Sequence, residues 1–339
     1  MKTIFSILLI TMMGLGFTVN AQDDEVEEPA LSISGSVDTY FRSNLNSTNN
    51  PSDLDGSFSA PATSFGNSPG FSLGMANVII SMEGEKAGFV ADLVFGPRGA
   101  DAVFASSPSQ NIVNQMYAYW NVSDDVTFTI GNFNTFLGYE VISPTGNFNY
   151  STSYMFSYGP FSHSGLKLDA ALSDEFSLML GVFNPTDYTD HNPSGRYLAG
   201  AQLGYSTDAG GAWLNFLLDD EFFQVDLTTG FDVSDNVYVG VNATTNDDFS
   251  GLAGYFQVSA SDAFSIGLRG EYFSDNSGVA IFAGESVFDL TISANCSVGN
   301  LTLIPEFRLD SGSDDFFVDS ELAPQSSLSS FILAAVYGF

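Results

Sequence analysis

The nine residues from Phe331 to Phe339 constrain this chain more than any other stretch. Phe331, Leu333, Ala335, Tyr337 and Phe339 share one parity, and the last residue is itself aromatic. A period-2 apolar face suits a strand in a sheet that is greasy on one side. A transmembrane barrel closes by pairing its last strand with its first and sets aromatic girdles at the membrane interfaces. Tyr337 and Phe339 are therefore the residues expected at barrel closure.

The opposite end reads as an export signal. Lys2 precedes an apolar run from Ile4 to Phe17, and Val19-Asn20-Ala21 offers a small-residue cleavage site. The run is too short to cross a bilayer, so residues 1–21 are expected to be a cleaved signal peptide. Residues 22–30 form an acidic lead, and 31–339 one barrel domain. No later run of about 20 apolar residues predicts a spanning helix. Cys296 is the only cysteine, which leaves no intrachain disulfide and no cysteine metal site. The formal charge is 8 − 40 = −32, or −33 once Lys2 is removed, and it argues against nucleic acid as a partner. Disorder is excluded by 44% hydrophobic residues, with 32 Phe among them. An exported, aromatic-rich chain of this kind is either soluble or a barrel.

From Leu31 onward one pattern repeats. Short turns fall at 84–86, 123–125, 173–175, 208–210, 234–236, 261–263 and 299–300. They alternate with long polar connections near 43–70, 97–111, 132–161, 184–196, 218–222, 245–250, 274–286 and 310–327. This predicts an all-β, up-and-down antiparallel barrel of about 16 strands, with short turns on one rim and long loops on the other. A sandwich would need Greek-key crossovers instead. Charge parity is an independent test. Phe223, Val225, Leu227 and Phe231 oppose Asp226 and Asp232, and Leu303 and Phe307 oppose Glu306 and Arg308. Asp38, Arg42, Lys167, Asp169, Arg269, Glu271 and Asp289 likewise fall on the polar faces. A charge facing lipid at mid-bilayer costs about 2–4 kcal/mol, so this sorting fits a wet lumen.

Gly131 to Gly165 contains Gly131-Asn-Phe-Asn-Thr-Phe-Leu-Gly-Tyr-Glu140, then Asn147-Phe-Asn-Tyr-Ser-Thr-Ser153, then Gly159-Pro-Phe-Ser-His-Ser-Gly165. This stretch resembles the β-barrel porin 2, OmpL-like, family of Bacteroidota. The final strand resembles the terminal signal by which barrel assembly machinery recognises outer-membrane proteins. The resemblance implies Sec-dependent export, a Gram-negative outer membrane with its lipid around the barrel, and porin function. It names no solute, and a homotrimer is one assembly it allows.

The third connection (132–161) carries Phe133, Phe136, Tyr139, Phe148, Tyr150, Tyr154, Phe156, Tyr158 and Phe161. That is too apolar for a loop bathed in water, and such loops usually pack somewhere. It is expected to fold inward as a constriction built from Phe133, Phe136, Tyr139, Glu140, Asn147, Tyr150 and Tyr154. Glu140 and Asn147–Ser153 would face the opening. His163 shares parity with Lys167, whereas Ser162 and Ser164 point the other way. An anchoring role for His163 is expected rather than a Ser–His pair, so no enzyme is predicted. The acidic groups at 219–221, 247–248 and 314–315 could hold Ca²⁺ or Mg²⁺ through their oxygens, but they match no EF-hand loop and read as solvated, so no metal or cofactor is predicted. Arg42, Lys167, Arg269 and Arg308 fall in the outer half of the lumen. They could pair locally along the wall or form a basic strip facing acids across the pore. The expected activity is passive diffusion of small hydrophilic solutes or ions. A non-conducting barrel acting through its outer loops as a structural or adhesive protein is the competitor.

Overall fold

The computed structural model describes residues 30–50, 59–108, 111–278 and 284–339. The signal peptide at 1–21 and all but the last residue of the acidic lead lie outside the described residues. Sixteen strands close into one barrel. They are β1 (Leu31–Asn44), β2 (Gly70–Glu83), β3 (Ala87–Phe95), β4 (Val113–Ser123), β5 (Val126–Asn134), β6 (Ser162–Ala171), β7 (Phe176–Phe183) and β8 (Leu198–Thr207). The second half comprises β9 (Gly210–Leu218), β10 (Phe223–Ser234), β11 (Val237–Thr245), β12 (Phe249–Ser261), β13 (Phe264–Asp275), β14 (Ser286–Val298), β15 (Leu301–Gly312) and β18 (Ser327–Gly338). A small hairpin, β16 (Phe317–Val318) with β17 (Pro324–Gln325), sits within the last long connection. Each barrel strand pairs antiparallel with its neighbour in sequence, the hairpin aside, and β1 pairs with β18. Full closure leaves no exposed sheet edge.

At the seam Val37 faces Tyr337 and Phe41 faces Leu333. Phe339 is pinned by two backbone bonds to Gly35, N to O 3.0 Å and O from N 2.9 Å. The seven short turns fall where the pattern placed them. The long connections are unequal in a way the sequence understated. Those after β9 and β11 are only 219–222 and 246–248, whereas the connections of the first half, 45–69, 96–112, 135–161 and 184–197, are several times longer. One side of the outer mouth is therefore low.

The lipid and lumen faces follow the alternation. Leu227, Phe307, Leu333 and Tyr337 are exposed on the outside, while Asp226, Arg308, Ser330 and Ile332 are buried inside. The inner face is not uniformly polar, however. Ile304, Ile332, Ala334 and Val336 point inward, form an apolar cluster with Tyr40, and receive Tyr150. Comparable inward clusters hold Phe133, Leu137, Phe183, Leu198 and Leu217, or Tyr154, Met155, Phe249, Tyr255 and Phe273. Wall side chains alone do not fill a barrel of this many strands. The third connection brings the missing apolar surface into the lumen.

The loop inside the barrel and the space beside it

Residues 135–161 cross the lumen and touch strands all around it. The crossing leaves β5 beside β6, where His163 is fully buried. Its Nε2 lies 2.9 Å from Thr135 Oγ1, and its ring sits 5.0 Å from both Phe136 and Phe183. Gln202 on β8 donates to the Phe136 carbonyl, 3.2 Å. Gly138 N then donates to Asp226 on β10, 2.9 Å. Tyr139 stacks on Tyr255 at 3.9 Å between centroids and donates to the Tyr238 hydroxyl, 2.8 Å.

On the β13–β15 wall the contacts change character and become ionic. Glu140 bridges Arg269 Nη1 at 2.6 Å and Ser153 N at 2.7 Å. Arg269 also pairs with Asp289 at 2.7 Å and donates to the Ser151 carbonyl at 2.7 Å. Arg308 pairs with Asp310 at 2.8 Å and donates to the Thr152 carbonyl at 2.7 Å. Glu306 accepts from Tyr150 N and Ser151 N, at 2.7 and 3.1 Å. Glu271 accepts from Tyr154 N and Met155 N, both 2.7 Å. The two tyrosine hydroxyls finish the clamp: Tyr150 donates to Asp38 at 2.6 Å and Tyr154 to Asp310 at 2.8 Å. A turn of backbone that makes few bonds to itself thus has its N–H groups taken by wall carboxylates and its carbonyls by wall guanidinium groups. Buried backbone polar groups need such partners, and charged partners make the stronger bonds.

Of the residues expected at the constriction, Phe133 lies on β5 rather than in the loop and packs on Phe183, with Lys167 Nζ 5.4 Å above its ring. Phe136 and Tyr139 lie against the wall as described. Glu140, Asn149, Tyr150, Ser151, Thr152, Ser153 and Tyr154 are all buried against β13–β15 instead of facing an opening. Asn147 bonds its own loop at Val141 N and O. Among the expected lumen charges, Arg269, Arg308, Asp38, Glu271 and Glu306 converge on the loop. Lys167 pairs with Asp169 at 2.8 Å on the far side of the barrel. Arg42 is buried, donates to the Asn67 carbonyl at 3.2 Å, and has no carboxylate in ion-pair range among the described residues. The cations on β13 and β15 therefore pair locally. The acidic group at Asp219 and Glu221 is occupied by Arg196.

Sequence reasoning missed Arg98. It lies in the helical turn Pro97–Ala102, is buried, and donates its Nε to the Ile142 carbonyl at 3.0 Å. Its guanidinium covers Phe65 at 4.4 Å and Tyr150 at 5.2 Å. Nothing in Gly96-Pro97-Arg98 beyond a turn signal marks it. Asp226 was assigned to the polar face but not to the loop. Its carboxylate accepts from Gly138 N, from Asn215 and Asn242 at 2.8 and 2.7 Å, and from Thr228 at 3.0 Å. Every one of those donors is neutral.

Open space remains beside the loop. On the outer side a cavity of about 150 Å³ is bordered by Tyr158, Asp187, Gln224, Asp248 and Asp275. Toward the short-turn rim a cavity of about 460 Å³ lies between Tyr139, Phe148 and the inner faces of β8–β12. A further cavity of about 360 Å³ separates Pro144, Thr145 and Asn147 from Ile304 and Val336. Between the outer cavity and the 460 Å³ one, the gap from Leu137, Gly138 and Met155 to Asp226 and Asn242 holds only about 10 Å³.

A closed antiparallel barrel of 16 strands, apolar outside and with polar groups within, is the architecture of bacterial outer-membrane barrels. The chain belongs to the family described as "Putative beta-barrel porin-2, OmpL-like", whose pattern matches residues 30–339. The family and the fold place it in the outer membrane of a Gram-negative bacterium. No curated protein is similar to it in sequence. Solved structures share its fold at low identity. One is Vibrio cholerae OmpT, folded in vitro and in trimer form, with 11% identity, 92% of this chain and 100% of that one covered, and a TM-score of 0.59. Pseudomonas putida OprB at high pH gives 10% identity, 91% and 94% coverage, and 0.60. A mutant Rh. blastica porin gives 13%, 91% and 100%, and 0.51.

Proposed function

We propose that the protein is a passive diffusion channel for small hydrophilic solutes, in which residues 135–161 form the constriction, and that it has no enzymatic role. The observation that carries this reading is the one-sided seating of the loop. Its ionic clamp holds it to β13–β15, and at the opposite wall only the narrow gap beside Asp226 separates the outer cavity from the 460 Å³ one. A solute would then pass between Leu137-Gly138 and the polar wall of Gln224, Asp226, Asn242 and Thr244, not along the barrel axis. Pore linings select by width and by lining charge. The arginines of β13 and β15 are sealed under the loop, so the slot is acidic and neutral, which favours cations and uncharged solutes over anions. A homotrimer is the assembly we propose, by analogy with the trimer form of one structural neighbour.

The narrowness of the gap at Asp226 favours one second reading, a barrel closed at rest that conducts only when Gly138 moves. Planar-bilayer recording on the purified protein separates the two. Steady conductance at low voltage supports the open slot, and discrete openings from a silent baseline support the gated one. Absence of any conductance, with swelling of protein-loaded liposomes also absent, removes the channel reading.

A further inference from the structure

We propose that the 460 Å³ cavity on the short-turn side of the loop binds a neutral, polyhydroxylated solute of sugar type, stacked on Trp213 and Tyr238. The inference deepens the channel reading and rests on it for its physiological meaning. Three features of the cavity carry it.

The first is charge. In a chain of formal charge −32, the described residues that line this cavity include no Asp, Glu, Lys, Arg or His. A cavity built for an ion in such a protein would present at least one counter-charge, because desolvating an ion without one is expensive.

The second is the posture of the aromatic rings. Trp213 runs along the wall at Gly204 and Gly211, its Nε1 edge against both glycines. A Cβ on Gly211 would come within 2.7 Å of its ring, and one on Gly204 within 3.1 Å. The hydroxyl end of Tyr238 takes the space above Gly230, where a Cβ would run into its oxygen and stand 2.8 Å from its Cζ. The bare backbone at these glycines makes room for both side chains against the wall, where they border the cavity and remain partly exposed. Phe148 adds a third ring from the loop. A pyranose carries C–H bonds on one face and hydroxyls around its edge, so it buries apolar area on a flat ring without losing its hydrogen bonds.

The third is the supply of unengaged neutral polar groups around those rings. Gln257 and Ser206 make no side-chain hydrogen bond among the described residues and border the cavity. Thr228 donates to Asp226 and keeps its oxygen free to accept, and Tyr238 accepts from Tyr139 and keeps its proton to give. Donors and acceptors in alternation around an aromatic platform suit hydroxyls, which are both.

The test uses the full-length protein in detergent micelles. Trp120, the only other tryptophan, stands on the lipid face beside Phe128, so Trp120→Phe leaves Trp213 as the sole indole reporter. In that background maltose should change Trp213 emission saturably, whereas citrate and a polyethylene glycol of equal mass should not. Gln257→Leu and Thr228→Val together should raise the half-saturating maltose concentration about tenfold. No saturable change with maltose, an equal change with citrate or the glycol, or an unmoved half-saturation in the double variant would each overturn the proposal. Bilayer recording on the same samples separates the two claims. Conductance without maltose binding leaves the channel and removes the site, and binding without conductance does the reverse.

Discussion

Two walls of one barrel face each other here and are built from different chemistry. The β13–β15 wall meets the loop with Arg269, Arg308, Glu271 and Glu306, all fully buried and bonded to loop backbone. The β8–β11 wall meets it with Gln202 and one carboxylate at Asp226, itself held by Asn215 and Asn242, and carries glycines that make room for Trp213 and Tyr238. The outer connections are also shortest after β9 and β11, beside this second wall. The lesson is that the ionic residues fasten the loop, while the neutral ones leave room beside it. A barrel whose charges all faced water would show no such division.

The comparison breaks most severely if the ionic clamp is dispensable. Arg269→Met leaves Glu140 and Asp289 buried without their shared cation. Removing one partner from a buried ion pair typically costs about 3–5 kcal/mol. The expected outcome is a barrel that still inserts but unfolds at markedly lower urea, with larger and noisier single-channel conductance as the loop swings free. Unfolding midpoints from heat-modifiable gel mobility, with bilayer traces beside them, provide the check. A wild-type midpoint and conductance would mean the clamp holds nothing.

A second substitution pair sharpens the contrast on the inner face itself. Ile332→Arg and Gln257→Arg both place a cation on lumen parity, and a uniformly wet lumen would tolerate both. Ile332 is buried beneath Tyr150 with Val336 and Ile304, whereas Gln257 borders open space. The first change should cost about 2–3 kcal/mol, because it buries an unpaired charge or unseats the loop. The second should fall within about 0.5 kcal/mol of wild type. Equal folding yields in lipid vesicles would erase the distinction between the walls.

Much of this was legible in the residues, and the boundary has a physical cause. Strand positions follow from period-2 alternation, because a one-residue slip would send charges such as Asp226 or Arg308 into lipid. The inward packing of 135–161 was foreseeable in kind, since burying a Phe is worth about 1.5–3 kcal/mol and the loop carries many aromatics. Where it packs was not read, although a signal existed. Phe331-Ile-Leu-Ala-Ala-Val336 is apolar on both parities, the mark of a strand covered on both faces. Only one parity was used. Glu140 and Ser151 were expected at the opening because they are polar, yet the guanidinium that holds them is on β13, more than a hundred residues along the chain. Asp226 shows the same limit: its partners Asn215 and Asn242 become neighbours only once the strand register is known.

Ion selectivity probes the open wall with a smaller effect. Asp226→Asn keeps an oxygen for Gly138 N–H while removing the negative charge beside the slot. A cation and a carboxylate about 4 Å apart interact by about 1 kcal/mol across water. The cation-to-anion permeability ratio in a KCl gradient should therefore fall by about fivefold or less, and less again at high salt. Unchanged reversal potentials would place the ion path away from β10.

The smallest expected effect concerns the point where the loop returns to the wall. Asp187, in the connection after β7, accepts from Phe161 N at 2.7 Å and Ser162 N at 3.0 Å. Desolvation pushes its carboxyl up to about 6 from the ordinary 3.8, against the opposing pull of those two bonds and of Thr186. For an acid whose folded pKa is raised, the folded state holds the proton more tightly than the unfolded one. Its contribution to stability is then greatest below about pH 4, declines as pH rises toward about 6, and is flat above that. Part of Asp187 still meets solvent, which screens the effect. Asp187→Asn retains the accepting oxygen, and asparagine tolerates the left-handed φ of 71° found there. Hydrogen exchange across 157–163, corrected for intrinsic rates, should quicken from pH 4 to pH 6.5 in the wild type. It should stay level in the variant, which would be the better protected of the two at neutral pH. Parallel pH profiles would show that the loop's return is held by packing of Phe161 on Phe65 and Phe156 and not by this carboxyl.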